Sequence, residues 1–218
     1  IVRFFTEEYG LKSYLVRKKK ARSGSGFAAL HPFALVGIRE QERHLGQLPV
    51  LKEYHSEVAL NSLVMYPEKS AVAMFGTELM VRCLAEDQPH RELFETAWNL
   101  VSQLDLDEQA GTYAFLIAGR IIRYLGLMPS SEEEQGLDLD LRTGQRTGHG
   151  VRSEDLLPAH LTDAFIACGT VGADHFRSLA LDRNDQRELL RAMVAFLQLH
   201  VAGTAPLNSL EVLRSVYQ

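Results

Sequence analysis

Apolar and polar positions alternate with two different periods along this chain, and the change of period divides it. In the first part, two β-prone runs, residues 1–6 and 11–17, flank Glu7-Glu8-Tyr9-Gly10, which predicts a hairpin. A basic stretch and a Ser/Gly tract follow through Gly26 and cannot pack a core. Then come an apolar run at 27–30, a turn at His31-Pro32-Phe33, a second run at 34–38, and a polar stretch over 39–47. Residues 50–58 partly alternate, as a strand with one buried face should. Four or five short strands separated by turn signals predict a small barrel or curved sheet. No stretch before residue 59 carries a helical period.

From Tyr66-Pro67 the period becomes helical. Val72, Phe75, Leu79, Met80 and Cys83 fall on one face of a helix predicted over 69–84. Pro89 can open the next helix, striped by Leu93, Phe94, Ala97, Leu100, Val101 and Leu104. A third, over 110–127, is apolar nearly all round and should be the buried centre of a bundle. Residues 129–150 are polar and glycine-rich, but Leu137 to Leu141 alternate strictly with Asp138 and Asp140 before Thr143-Gly144. That predicts a hairpin near 136–147 inserted among helices, which resume at 161–167, 185–200 and 207–217. The predicted fold class is α+β in two domains, a strand-rich one over 1–66 and a helical one over 67–218.

Charge sharpens this division. The first 66 residues hold 10 Lys+Arg against 6 Asp+Glu, and the remainder 13 against 22. A basic first third on an acidic remainder suggests that the first third meets a polyanion. Otherwise the composition, 46% hydrophobic and 23% charged, is that of an ordinary globular protein. No run approaches the length of a membrane span, and no signal-peptide pattern opens the chain. Cys83 and Cys168 stand far apart among apolar neighbours, so both are read as reduced core residues of a cytoplasmic protein.

The search for catalytic chemistry returns no candidate. GxxxxGK[ST], GxGxxG, GxSxG and HExxH are all missing, and Gly24-Ser25-Gly26 lacks the helix start that phosphate loops need. Asp138 and Asp140 resemble a metal-binding pair, but alternation with leucine places both on the solvent face of a strand. What remains is binding chemistry. Arg17, Lys18, Lys19, Lys20 and Arg22 form a cationic segment hanging from a strand pair, a natural holder of a phosphate backbone, though equally readable as a solvated linker. Arg39, Arg43 and Lys52 are the reserve cations of the same region. Phe5, Tyr14, Phe27 and Tyr54 are candidates for stacking on bases, alternation sending about half such aromatics inward. On the third helix, Arg120 and Arg123 lie three apart; they could rim an apolar groove for an acidic peptide, or pair with carboxylates of a neighbouring helix.

Laid out in order, the chain resembles the RecO family of bacterial recombination mediators. Three stretches carry the resemblance: the opening Val2-Arg3-Phe4-Phe5-Thr6-Glu7-Glu8-Tyr9-Gly10-Leu11-Lys12-Ser13-Tyr14-Leu15-Val16-Arg17 with its basic continuation and Leu30-His31-Pro32-Phe33; Phe115 through Tyr124-Leu125-Gly126-Leu127-Met128-Pro129; and Leu199-His200 through Leu213-Arg214. The resemblance implies an N-terminal OB-fold and a C-terminal helical domain. It implies binding of single- and double-stranded DNA, annealing of complementary strands, and help in loading RecA. Its implied partners are RecR and the C-terminal tail of the single-stranded-DNA-binding protein SSB. It implies no catalytic residue and no cofactor. Two departures stand out. Many family members carry a four-cysteine zinc module after the helix ending at Pro129; here Ser130-Ser131-Glu132 stands there, so no zinc is expected. The family's first barrel strand is also missing, and the sequence opens at Ile1 inside a predicted strand, so an open barrel edge is expected. A protein adaptor without DNA affinity of its own is the rival reading, and a hydrolase the weakest.

Overall fold

A computed structural model describes residues 1–16, 30–41, 47–130, 136–148, 155–202 and 206–217. Strands β1 (Val2–Thr6), β2 (Gly10–Val16), β3 (Val36–Gln41) and β4 (Val50–Ser56) form one sheet in the order β1-β2-β4-β3. β1 and β2 make the expected antiparallel hairpin, with Val2 opposite Tyr14 and Thr6 opposite Gly10. Thr6 Oγ1 accepts from the Tyr9 N–H and donates to the Gly10 carbonyl, which staples the turn. β2 and β4 pair in parallel, Leu15 with Val50 and Val16 with Leu51. β3 and β4 are antiparallel, with a bulge where Arg39 faces Glu53 but Glu40 faces Leu51, leaving Lys52 as the extra residue. The bulge accounts for the broken alternation of β4, buried at Val50 and Leu51 and exposed at Lys52 and Glu53. Among the described residues the sheet does not close. Its edges, β1 and β3, both line a cavity of about 800 Å³ walled on the far side by Val81, Phe94 and Trp98.

The helices follow as α1 (Asn61–Met65), α2 (Pro67–Cys83), α3 (Arg91–Leu106) and α4 (Thr112–Tyr124), then α5 (Ala159–Ala167), α6 (Ala173–Ser178), α7 (Arg183–His200) and α8 (Ser209–Val216). Between α4 and α5 the inserted hairpin is present as β5 (Asp138–Asp140) and β6 (Gln145–Thr147), and β7 (Leu156–Leu157) adds a third strand beside β5. The chain is thus α+β: a strand-rich start, then a helical region carrying a small sheet. Pro67 opens α2 at its first position, where a missing N–H costs nothing. α4 is the centre of the core: Tyr113 to Gly119, Ile121 and Ile122 are all buried. Leu116 and Ile122 are fully enclosed, each side chain contributing about 1.5–3 kcal/mol by burial.

Several helix ends are closed by side chains from other elements. Asp182 caps α7 by accepting from the N–H groups of Asn184 and Asp185. Asp138 of β5 accepts from Ala159 N–H at the start of α5, and Asp140 accepts from Arg142 N–H. Both carboxylates therefore orient backbone. Glu78 of α2 accepts from the N–H groups of Asn208 and Ser209 at the start of α8. Burial pushes the Glu78 carboxyl up, but these donors and the Ser209 hydroxyl outweigh it and hold it below the usual range. Lys69, 5% exposed, donates to Ser62 Oγ and to the Asp105 carbonyl in the last turn of α3.

The sheet docks on the helices through the turn at Gly10 and through aromatic rings. Phe5 packs on His90 and Phe94, with ring centroids 6.4 and 5.9 Å away. His90 in turn packs against Tyr124, whose hydroxyl hydrogen-bonds its Nδ1. Burial holds the His90 imidazole below its ordinary pKa, with a backbone hydrogen bond at Pro89 opposing. The folded protein thus favours the neutral ring, while the unfolded chain takes up a proton near pH 6.5. Stability from this group is complete above that pH and falls as pH drops from about 6.5 toward the depressed folded value. Thermal melts between about pH 7.5 and about pH 5.5 should show the wild type losing more than His90→Gln. Parallel losses would show that the ring titrates alike in both states.

Candidate nucleic-acid interface

Cations of the strand-rich region fall into two groups. Three inside the sheet have carboxylate partners. Arg3 pairs with Glu86 at 3.2 Å, and Arg39 with Glu53 at 3.7 Å. Lys12, half-buried, donates to both oxygens of Glu40 and lies 4.1 Å from the Tyr9 ring centroid. At the hairpin turn Glu7 is matched by Arg91 of α3. Lys52, at the bulge, is exposed and has no ion pair among the described residues.

The parallel pairing of β2 with β4 decides where the second group starts. Val16, the last residue of β2, sits opposite Leu51, one position before Lys52. The chain enters its basic segment at that point: Arg17, Lys18, Lys19, Lys20 and Arg22 follow in sequence, and they lie outside the described residues, as do Phe27 and Arg43. The fold therefore brings Lys52, the neighbouring Arg39 and the end of β2 together at the junction of β2 with β4. Lys52 itself owes its exposure to the bulge, which no period in the sequence signals.

One of the aromatic expectations is corrected. Tyr14 is 1% exposed, packed edge-on against Phe4, and its hydroxyl lies beside Glu40; burial raises its pKa, with Glu40 adding to the effect. It cannot stack on a base. Strand alternation places Lys12 and Tyr14 on one face and Leu11 on the other, and both Tyr14 and Leu11 are buried. The ring of Phe5 is likewise occupied, docking the sheet on α3. Tyr54 stays half-buried on β4 opposite Ile38. An exposed aromatic not singled out by alternation is Tyr9, 45% exposed in the hairpin turn beside Lys12.

Arg120 and Arg123 meet different fates. The Arg120 guanidinium donates to the carbonyls of Thr170 and Val171 at 2.9 and 3.0 Å. Its partners are thus backbone oxygens following α5 and not a neighbouring helix's carboxylates. Burial lowers its pKa, and the Arg123 charge adds to this. Arg123 is exposed. Beside Arg120 lies a shallow apolar cleft lined by Phe33, Leu93, Ala97, Leu100, Ile117 and Ile121, with room, about 10 Å³, for little more than one water.

A zinc module does not fit the donors present. Cys83 is buried in α2, and Cys168 follows α5, where burial pushes its thiol up to about 12. Among the described residues no three His, Cys, Asp or Glu side chains converge as a metal site. The inserted sheet is held instead by Leu139, Leu141 and Leu157 in the core and by the Leu141 N–H donating to Asp155. No described helix is long and apolar enough to cross a membrane.

A family model described as the C-terminal part of recombination protein O matches residues 66–211, two thirds of the chain. The chain belongs to the RecO family. Relatives named DNA repair protein RecO align with all of it: 25% identity in Azobacteroides pseudotrichonymphae, 24% in Flavobacterium psychrophilum and 25% in Phocaeicola vulgatus. In each case 100% of this chain and 91% of the relative are covered. RecO membership places the chain among proteins of DNA repair and recombination.

Proposed function

We propose that this RecO-family chain is a non-enzymatic recombination mediator that binds single- and double-stranded DNA and anneals complementary strands. With RecR as partner it helps load RecA onto strands coated by SSB, in the cytoplasm at the nucleoid and without a cofactor. Residues 1–66 form the DNA-binding domain, and residues 67–218 the helical domain that meets other proteins. One observation supports this reading: Arg3, Lys12 and Arg39 of the sheet have carboxylate partners, while Lys52 follows Leu51, which pairs with Val16 where β2 ends and the basic 17–22 sequence follows. Arg17, Lys18, Lys19, Lys20 and Arg22 hold phosphates there, with Arg39, Arg43 and Lys52 at the margin, while Phe27 and Tyr54 remain the stacking candidates. The acidic SSB tail is met on α4 at Arg120 and Arg123, of which Arg123 is exposed.

Fluorescence anisotropy of a labelled single strand tests the reading. Affinity should fall ~10²-fold or more between about 50 and about 200 mM salt, as several phosphate contacts require. No binding at the lower salt would favour the adaptor reading, with SSB-tail binding as the remaining activity.

A further inference from the structure

At the corner where α1, α2 and α3 meet, apolar side chains stand open. Met65 is 74% exposed and Leu106 83%, while Val64 and Tyr66 are each 55% exposed. They come from two separate stretches, which hydrogen bonds tie together. The Asp105 carboxylate accepts from the Leu63 N–H at 2.6 Å, pinning α1 to the end of α3. Lys69 Nζ lies 5.8 Å from the Tyr66 ring centroid and donates at 2.7 Å to the Asp105 carbonyl, next to Leu106. Scattered surface apolar residues need no explanation, but four on elements locked together form a patch.

Charge around the patch identifies what it fits. Glu68, Asp105 and Glu108 have no ion-pair partner among the described residues. The cations that reach this corner offset only part of that charge. Lys69 bonds neutral oxygens, the Ser62 hydroxyl and the Asp105 carbonyl, so its charge balances one carboxylate, while Arg177 is held by Asp107 and Asp174. Uncompensated carboxylates around an apolar patch repel an acidic partner and attract a basic one. We propose that this corner docks a basic amphipathic protein segment, one presenting leucine-type side chains flanked by lysine or arginine. Met65, unbranched and polarisable, suits repacking around such side chains. The site is separate from the basic end of the sheet and would take a partner of opposite charge to the SSB tail.

The test uses the full chain and a labelled amphipathic Leu/Lys peptide of about 18 residues, compared with Leu/Glu and Ser/Lys versions of equal length. The Leu/Lys peptide should bind at least ~10-fold tighter than either control, about 1.4 kcal/mol. Met65→Ser with Leu106→Ser should remove that advantage without lowering the melting temperature, since both residues are exposed. Glu68→Gln with Glu108→Gln should weaken binding and flatten its salt dependence. Equal binding of the Ser/Lys peptide, or undiminished binding by the Met65/Leu106 variant, would overturn the proposal. So would a concentration-dependent dimer, seen by sedimentation, that the same variant abolishes; the patch would then join two copies of this chain.

Discussion

Replacing Lys18, Lys19 and Lys20 together with alanine is expected to weaken single-strand binding about 10²-fold at low salt. The loss should be similar for every sequence, because phosphates carry no base information. The slope of log affinity against log salt should become shallower by about 2, three contacts at ~0.7 each for a single strand. Arg3, Lys12 and Arg39 already have carboxylate partners, so an incoming phosphate would have to displace Glu86, Glu40 or Glu53 to use them. The three lysines follow directly on Val16, where β2 ends beside Lys52. Anisotropy titrations of both proteins across salt give the affinity and the slope together. Unchanged affinity in the triple variant would move the contact to Arg39, Arg43 and Lys52.

How much of this was legible in the sequence depends on the range of each interaction. The β1–β2 hairpin and the long helices could be read because period-2 and period-3.6 patterns are local. The stretch from Phe115 to Ile122, apolar except for Arg120, announced a central helix for the same reason. α1, α6 and β7, of five, six and two residues, are too short to display any period. The parallel pairing of β2 with β4 joins residues some 35 positions apart and leaves no mark on either strand. Tyr14 illustrates the limit at the candidate site. Tyr14 and Leu11, on opposite faces of β2, are both buried, and the Tyr14 side is covered by Glu40, 28 residues beyond Lys12, a contact alternation cannot show. Arg120 was likewise assigned by the carbonyls of Thr170 and Val171, acceptors that every residue possesses and no sequence pattern advertises.

Gly10→Val is expected to be the most damaging single substitution in the sheet, costing about 3–4 kcal/mol. Gly10 has φ +69°, where a β-branched side chain is strained by about 1–2 kcal/mol. Space is the larger obstacle. A Cβ built there would lie 1.7 Å from the Gln88 carbonyl oxygen, which is backbone and cannot swing aside as a side chain would. The hairpin must lift away, and the contacts beside it would go too. Asp87 N–H donates to the Leu11 carbonyl at 2.9 Å, Leu11 is 3% exposed in the common core, and Phe5 rests on His90 and Phe94. Urea unfolding should show the destabilisation, and hydrogen exchange should show β1 and β2 losing protection well before α4. Because the basic segment is rooted at the end of β2, DNA affinity should fall with it even where the helices stay folded. A midpoint close to wild type, with β1 and β2 still protected, would mean that the turn can shift off Gln88 at little cost, and that contacts such as Phe5 on His90 and Phe94 hold the sheet to the helices without it.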